Sequence, residues 1–211
     1  MSVNNIVNMA KLKGLEIIAL TDHNSCKNCP AFLEVAKGAG IRALPGMEIN
    51  TSEEVHAVCL FKNLADAMAF DKYVFDRLPD VENRTDVFGE QLLLDELDNV
   101  TGFIKKLLIN AAGISFFELH DLMKSYNGLY FPAHVDRNSF SLTSNLGIVP
   151  HDCVMDAFEL ADIKNLSSVI EQNVVFSGLS MLKNSDAHHL WDISEAIYTL
   201  DDKLIKSICI F

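Results

Sequence analysis

Short apolar runs of strand length alternate with segments of helical period along this chain, and that alternation narrows the folds open to it. Val3, Ile6, Val7 and Ala10 share one helical face, with Ser2 placed to cap the helix and Gly14 to stop it. An apolar run from Leu15 to Leu20 follows and ends in the polar turn Thr21-Asp22-His23-Asn24-Ser25. A second helix is predicted from Pro30 to Lys37, with Gly38 after it. A second strand, Ile41 to Leu44, leads into Pro45-Gly46-Met47-Glu48, and a third runs from Val55 to Phe61. This order, with short connections, predicts an α/β fold with a parallel sheet or barrel.

The middle of the chain reads as more helical. Leu64 to Phe75 has helical period, Leu78 to Gly89 is a polar excursion, and Glu90 to Leu97 and Phe103 to Ala111 are predicted helices. Ser115-x-x-Glu118 has the spacing of a capping box opening a helix that ends near Tyr126. Strand character returns at Leu129 to Val135, Ala157 to Leu160, Val174 to Leu179 and Ala196 to Leu200. No repeat, low-complexity segment or linker divides the chain, so its 211 residues read as one domain, long enough to bury a substantial core.

Composition excludes some functions. No apolar run approaches the roughly 18 residues of a membrane helix, and Met1 to Lys13 lacks the basic and apolar blocks of a secretory leader. The expected location is the cytoplasm, which also suits five cysteines, an odd number, as free thiols. A formal net charge of −12 argues against coating long duplex nucleic acid. Phosphate binding remains open where divalent metals reverse the local sign.

Histidines and carboxylates gather at the ends of the apparent strands. His23 follows the first, Glu48 the second, His56 opens the third, His134 closes the run from Leu129, and Asp186 and His188 follow Val174 to Leu179. In α/β barrels the loops after the strands converge on one face. Imidazole and carboxylate donors converging there form a mixed site suited to zinc, manganese or iron. One histidine at a strand end is ordinarily a hydrogen-bonded structural residue; it is the repetition of the pattern that points to a metal site.

Five segments resemble the PHP (polymerase and histidinol phosphatase) family: Thr21-Asp22-His23, Pro45-Gly46-Met47-Glu48, Glu54-Val55-His56, Pro132-Ala133-His134-Val135-Asp136-Arg137 and Ser185-Asp186-Ala187-His188, in the family's order. The resemblance implies a distorted seven-stranded (β/α)7 barrel, two or three divalent metals at its C-terminal face, and phosphoester hydrolysis by metal-activated water. It implies His23, Glu48, His56, His134, Asp186 and His188 as metal ligands, with Asp22 orienting a ligand or the loop. The family opens on a strand ending in His-x-His, and no His-x-His occurs here. The expectation is therefore a single domain over residues 1–211, truncated at its N-terminus, with an incomplete barrel and fewer metals. Its exposed sheet edge would favour self-association. The expected substrate is a small phosphorylated metabolite, a nucleotide or an oligonucleotide end. The rival reading is a mononuclear or inactive metal-binding remnant.

Other features carry less. Cys26-x-x-Cys29 has zinc or redox spacing but no second pair nearby, and free thiols are the default. Lys37-Gly38-Ala39-Gly40 lacks the Gly-Lys-Ser/Thr ending of a phosphate loop. Arg137 is either a phosphate-binding fork or one half of an ordinary salt bridge. His189 either supports the site or is simply exposed, Trp191 is expected to pack, and His120 and His151 have no assigned role.

Overall fold

The computed structural model describes residues 1–208. The chain opens with α1 (Val3–Leu12), β1 (Ile17–Leu20), α2 (Cys29–Ala39), β2 (Arg42–Asn50), β3 (His56–Phe61) and α3 (Leu64–Phe75). The short α4 (Thr85–Phe88) and a hairpin of β4 (Leu92–Leu94) and β5 (Val100–Phe103) follow. Then come α5 (Leu119–Ser125), β6 (Gly128–Pro132), α6 (Leu142–Leu146), β7 (Ala157–Glu159), α7 (Leu166–Gln172), β8 (Ser180–Leu182) and α8 (Asp202–Ile208). Among these residues no helix is long and apolar enough to cross a membrane.

The central sheet has the order β1-β2-β3-β6, and β7 and β8 form a separate parallel pair. Isolated bonds tie that pair to β6: Asp156 N–H donates to Tyr130 O (3.2 Å) and Val135 N–H to Glu159 O (2.9 Å). The fold is thus mixed α/β, and among the described residues strand pairing does not close into the expected seven-stranded barrel.

The expected parallel order holds for β1 with β2 but fails at β3, which is antiparallel to both β2 and β6. The cause is chain length. Five residues separate Asn50 from His56, whereas a parallel crossover needs a dozen or more. Thr51 and Val55 close the reversal with a backbone bond of 3.0 Å, and Glu54 adopts a left-handed φ of 57°.

Other expectations also change. The predicted helices at 90–97 and 103–111 are replaced by the β4–β5 hairpin and irregular chain, which is pinned by side chains: Gln91 Nε2 donates to Ile104 O (2.9 Å) and Lys106 O (2.7 Å). Val174–Phe176 is a 3-10 turn, and the strand expected there comes later as β8. Residues 196–200 form no strand. Gly38 lies inside α2, and Gly40, at φ 74°, ends it. The capping box is present, with Ser115 N–H donating to Glu118 Oε2 (2.9 Å) ahead of α5. Trp191, expected to pack, is 75% exposed. Cys26, Cys29 and Cys59 are buried free thiols and Cys153 is free and half-buried; Cys209 lies outside the described residues.

Period-two alternation builds the two faces of the sheet. Met47, Ile49, Cys59, Phe61 and Tyr130 point into the larger core beneath the helices. Leu44, Val58, Leu60, Leu129 and Phe131 point the other way, into an inner cluster closed by Leu182 and by Leu204 of α8. At Gly46 these layers lie close together. A Cβ there would lie 2.7 Å from Cys59 O and from the Leu60 side chain.

Candidate metal centre

Glu48 and His56 continue the inner face of β2 and β3 beyond the apolar cluster. Glu48 pairs with Val58, and Asn50 with His56. Because β3 runs backwards, the start of β3 meets the end of β2, so a histidine that opens a strand joins residues that close theirs. His56 Nδ1 lies 3.3 Å from Glu48 Oε1.

His23 arrives on the loop after β1. The loop is tied to β2 by Asn24 N–H donating to Glu48 O (2.9 Å) and Glu48 N–H to Asp22 O (3.2 Å). Buried Asn24 anchors it further: its Nδ2 donates to Leu108 O (2.7 Å) and Asn110 O (2.9 Å), and its Oδ1 accepts from Asn50 N–H (3.0 Å). Buried Asp71 of α3 accepts from Cys26 N–H (2.8 Å) and pairs with Lys27. His23 Nδ1 is thereby held 3.4 Å from Glu48 Oε2.

Strict alternation after β6 would send His134 to the outer face, since Leu129, Phe131 and Ala133 are inner. The left-handed backbone at His134, φ 31°, breaks the alternation. Its Nε2 lies 3.6 Å from Glu48 Oε1. Asp186, also left-handed at φ 46°, follows β8. Its Oδ2 accepts from Arg137 Nη1 at 2.7 Å. His188, mostly exposed, turns Nδ1 to Asp186 O (3.0 Å), and its ring centroid is 6.2 Å from that of His23. One cavity is lined by His23, Glu48, His56, His134, Asp186 and His188, together with Arg137, Ser139 and Phe140. Non-glycine residues with positive φ concentrate around it: Asn24, Glu54, His134, Phe140 and Asp186. Such backbone persists only where its surroundings hold it, and it clusters at functional sites.

Glu48 is deeply buried, which by itself would push its carboxyl up. Contacts with His134 and His56, and the charges of His56 and His23, outweigh burial and hold it well below the usual carboxylate range. Burial pushes His23 down, helped by His56 and His188 and opposed by Glu48 and Asp186, so its imidazole favours the neutral form. Burial also pushes Asp22 up, against a hydrogen bond from Asn28.

Three buried ring nitrogens, His23 Nδ1, His56 Nε2 and His134 Nδ1, have no hydrogen-bond partner. Buried polar atoms in native proteins are ordinarily paired, so several orphans around one carboxylate call for an explanation. A divalent cation supplies one. Donor atoms of His23, Glu48 and His56 lie within 4.8 Å of one another, a group that could hold such an ion. Cys26 and Cys29 belong to no such group among the described residues; their thiols lie against Gly46 O, at 3.2 and 3.5 Å.

Residues 1–137 match the sequence model of the PHP domain. The chain belongs to the PHP domain family. Over 73 residues it is 38% identical to a PolC-type DNA polymerase III from Thermotoga maritima, covering 35% of this chain and 5% of the polymerase. In structure it is similar to a lesion-specific endonuclease from Pyrococcus furiosus (TM-score 0.62, 17% identity), over 99% of this chain and 51% of the endonuclease. It is also similar to a protein assigned as a metal-dependent phosphoesterase from Bifidobacterium adolescentis (TM-score 0.60, 15% identity), over 98% of this chain and 90% of that one. This PHP chain therefore spans a small part of the polymerase and about half of the endonuclease. At these identities the structural likenesses establish the fold.

Glu159, at the end of β7, escaped the sequence reading because it falls inside an apolar run. Buried, it accepts from His134 N–H (3.4 Å) and Asn184 Nδ2 (2.6 Å), bridging the segments that carry His134 and Asp186. Burial, then the charges of Asp186 and Glu48, push its carboxyl up to about 7. Asn24 and Phe140 were missed as well. The left-handed turns that place them leave no pattern in hydropathy.

Proposed function

We propose that this PHP domain hydrolyses phosphoesters with the help of divalent metal, manganese, zinc or iron, held by His23, Glu48, His56, His134, Asp186 and His188. The observation that carries the reading is the set of orphaned imidazole nitrogens around one buried, ionised glutamate. Such a metal, when bound, polarises a phosphoryl oxygen and lowers the pKa of water to about 7 in favourable sites. Glu48 keeps its charge, so it is a ligand over the whole working pH range. His23 favours the neutral form, which leaves a ring lone pair free to ligate. Asp22, linked to Asn28 Nδ2 at 3.3 Å, orients the loop of His23. Arg137, half-exposed at the rim, offers its remaining guanidinium donors to a phosphate oxygen.

The proposed substrates are small phosphorylated metabolites, nucleotides and nucleic-acid ends. Exclusion of duplex DNA on the net charge of −12 is not kept. Net charge governs the far field, whereas the site sets the local one, and a structural neighbour is a lesion-specific endonuclease.

The test measures bound manganese by elemental analysis, and turnover of an aryl phosphate monoester and diester, for the wild-type chain, Glu48→Gln and His56→Ala. The wild type is expected to bind metal and turn over. Each variant is expected to lose metal and about 10²–10³-fold in rate. A wild type that binds no metal, or variants that match it, would overturn the proposal.

A further inference from the structure

The cavity is lined by imidazoles, carboxylates, a guanidinium and a hydroxyl, with one apolar exception, Phe140. Phe140 is left 42% exposed. Its backbone is left-handed at φ 53°, a conformation that bulky side chains rarely adopt. Phe140 O accepts from His56 N–H at 2.9 Å, and the two rings stack at 4.8 Å with an interplanar angle of 22°. One ring face is thus fixed against a proposed ligand while much of the side chain stays open.

The same short segment carries three different chemistries to one cavity. Arg137 N–H donates to His134 O (2.9 Å), and buried Ser141 closes the segment by donating to Arg137 O (2.7 Å). His134, Arg137 and Phe140 are therefore set in one locked turn. An imidazole, a guanidinium and an aromatic plate side by side match a ligand that joins phosphate to a planar ring.

Building on the proposed phosphoesterase reading, we propose that Phe140 determines specificity, selecting phosphoesters that carry a nucleobase by stacking it beside the site. Stacking on an aromatic side chain tolerates any base, because every base has a π-face. The site would accordingly favour base-bearing over base-free sugar phosphates, with little preference among bases.

Adenosine 5′-monophosphate and ribose 5-phosphate isolate the contribution of the base, because the phosphate and the ester carbon are the same in both. With the manganese-loaded wild-type chain, kcat/KM for the nucleotide is expected to exceed that for the sugar phosphate by about tenfold. Phe140→Ala and Phe140→Leu should bring the ratio towards one, and Phe140→Tyr should restore it. Calorimetric binding of both ligands to all four proteins decides the matter even if neither ligand is hydrolysed, which would count against the phosphoesterase reading alone. Phe140→Leu keeps an apolar contact on His56, and metal content measured alongside separates loss of stacking from damage to the site. Equal binding of the two ligands by the wild type, or an unchanged preference in Phe140→Leu, would overturn the inference.

Discussion

The inner face of the central sheet has two ends built by the same strands, and they obey opposite rules. At one end Leu44, Leu60, Leu129 and Phe131 pack into one apolar cluster. At the other, a few residues further along the same pleat, Glu48 and His56 project beside His134, and one ring nitrogen of each histidine, His56 Nε2 and His134 Nδ1, lacks a hydrogen-bond partner. Strand geometry is indifferent to this change; side-chain chemistry makes it. The polar end gathers buried ring nitrogens without hydrogen-bond partners, and such groups in native proteins call for an explanation.

The comparison breaks most easily at the apolar end. Phe131 is 1% exposed, and Phe131→Ala is expected to cost about 3–5 kcal/mol in urea unfolding by opening a cavity. A loss under 1 kcal/mol would mean that the inner cluster is not packed as described.

The polar end should reveal itself through pH. In metal-free protein, the Glu159 carboxyl is raised from its ordinary 4.5 to about 7. A raised folded-state pKa gives stability that is complete below the unfolded value and fades as pH climbs through the folded one. The wild type is therefore expected to lose up to about 3 kcal/mol between pH 4.5 and 7 from this group. Glu159→Gln should flatten that slope in melts run with a chelator. Parallel pH profiles for the two proteins would show that Glu159 ionises freely in the fold.

The smallest effect is expected between the two ends. Gly46→Ala pushes a methyl group towards Cys59 O and Leu60 and should cost about 1–3 kcal/mol. Full stability in that variant would show that β1, β2 and β3 can separate without penalty.

How much of this was legible in the sequence differs along the chain. Residues 1–75 announce their elements because each has a clean period and a punctuating Gly, Pro or Asn. The segment from 90 to 111 was misread as helical because Leu92, Leu93 and Leu94 suit helix and strand alike. Its strands are set by Asp95, which accepts from Leu97 N–H and Asn99 N–H in a turn. All six predicted site residues line one cavity, because motif order survives where strand direction does not. The reversal of β3 was hidden: the brevity of residues 51–55 was visible, but the parallel expectation overrode it. Asn24, Phe140 and Glu159 were not singled out, since their positions depend on left-handed turns and on contacts between distant segments.

The reversal at residues 51–55 also divides the site by sequence distance. Glu48 and His56 are eight residues apart, on neighbouring strands of a single hairpin, whereas His134 lies 78 residues beyond His56. Closing the longer loop costs about 2 kcal/mol more in chain entropy than closing the shorter. Glu48 and His56 are thus a local property of the hairpin, whereas His134 joins them only once β6 has docked against β3. A cation that needs His134 as well as the hairpin would bind the completed architecture and not its parts, so metal occupancy would report whether distant stretches of the chain have found one another.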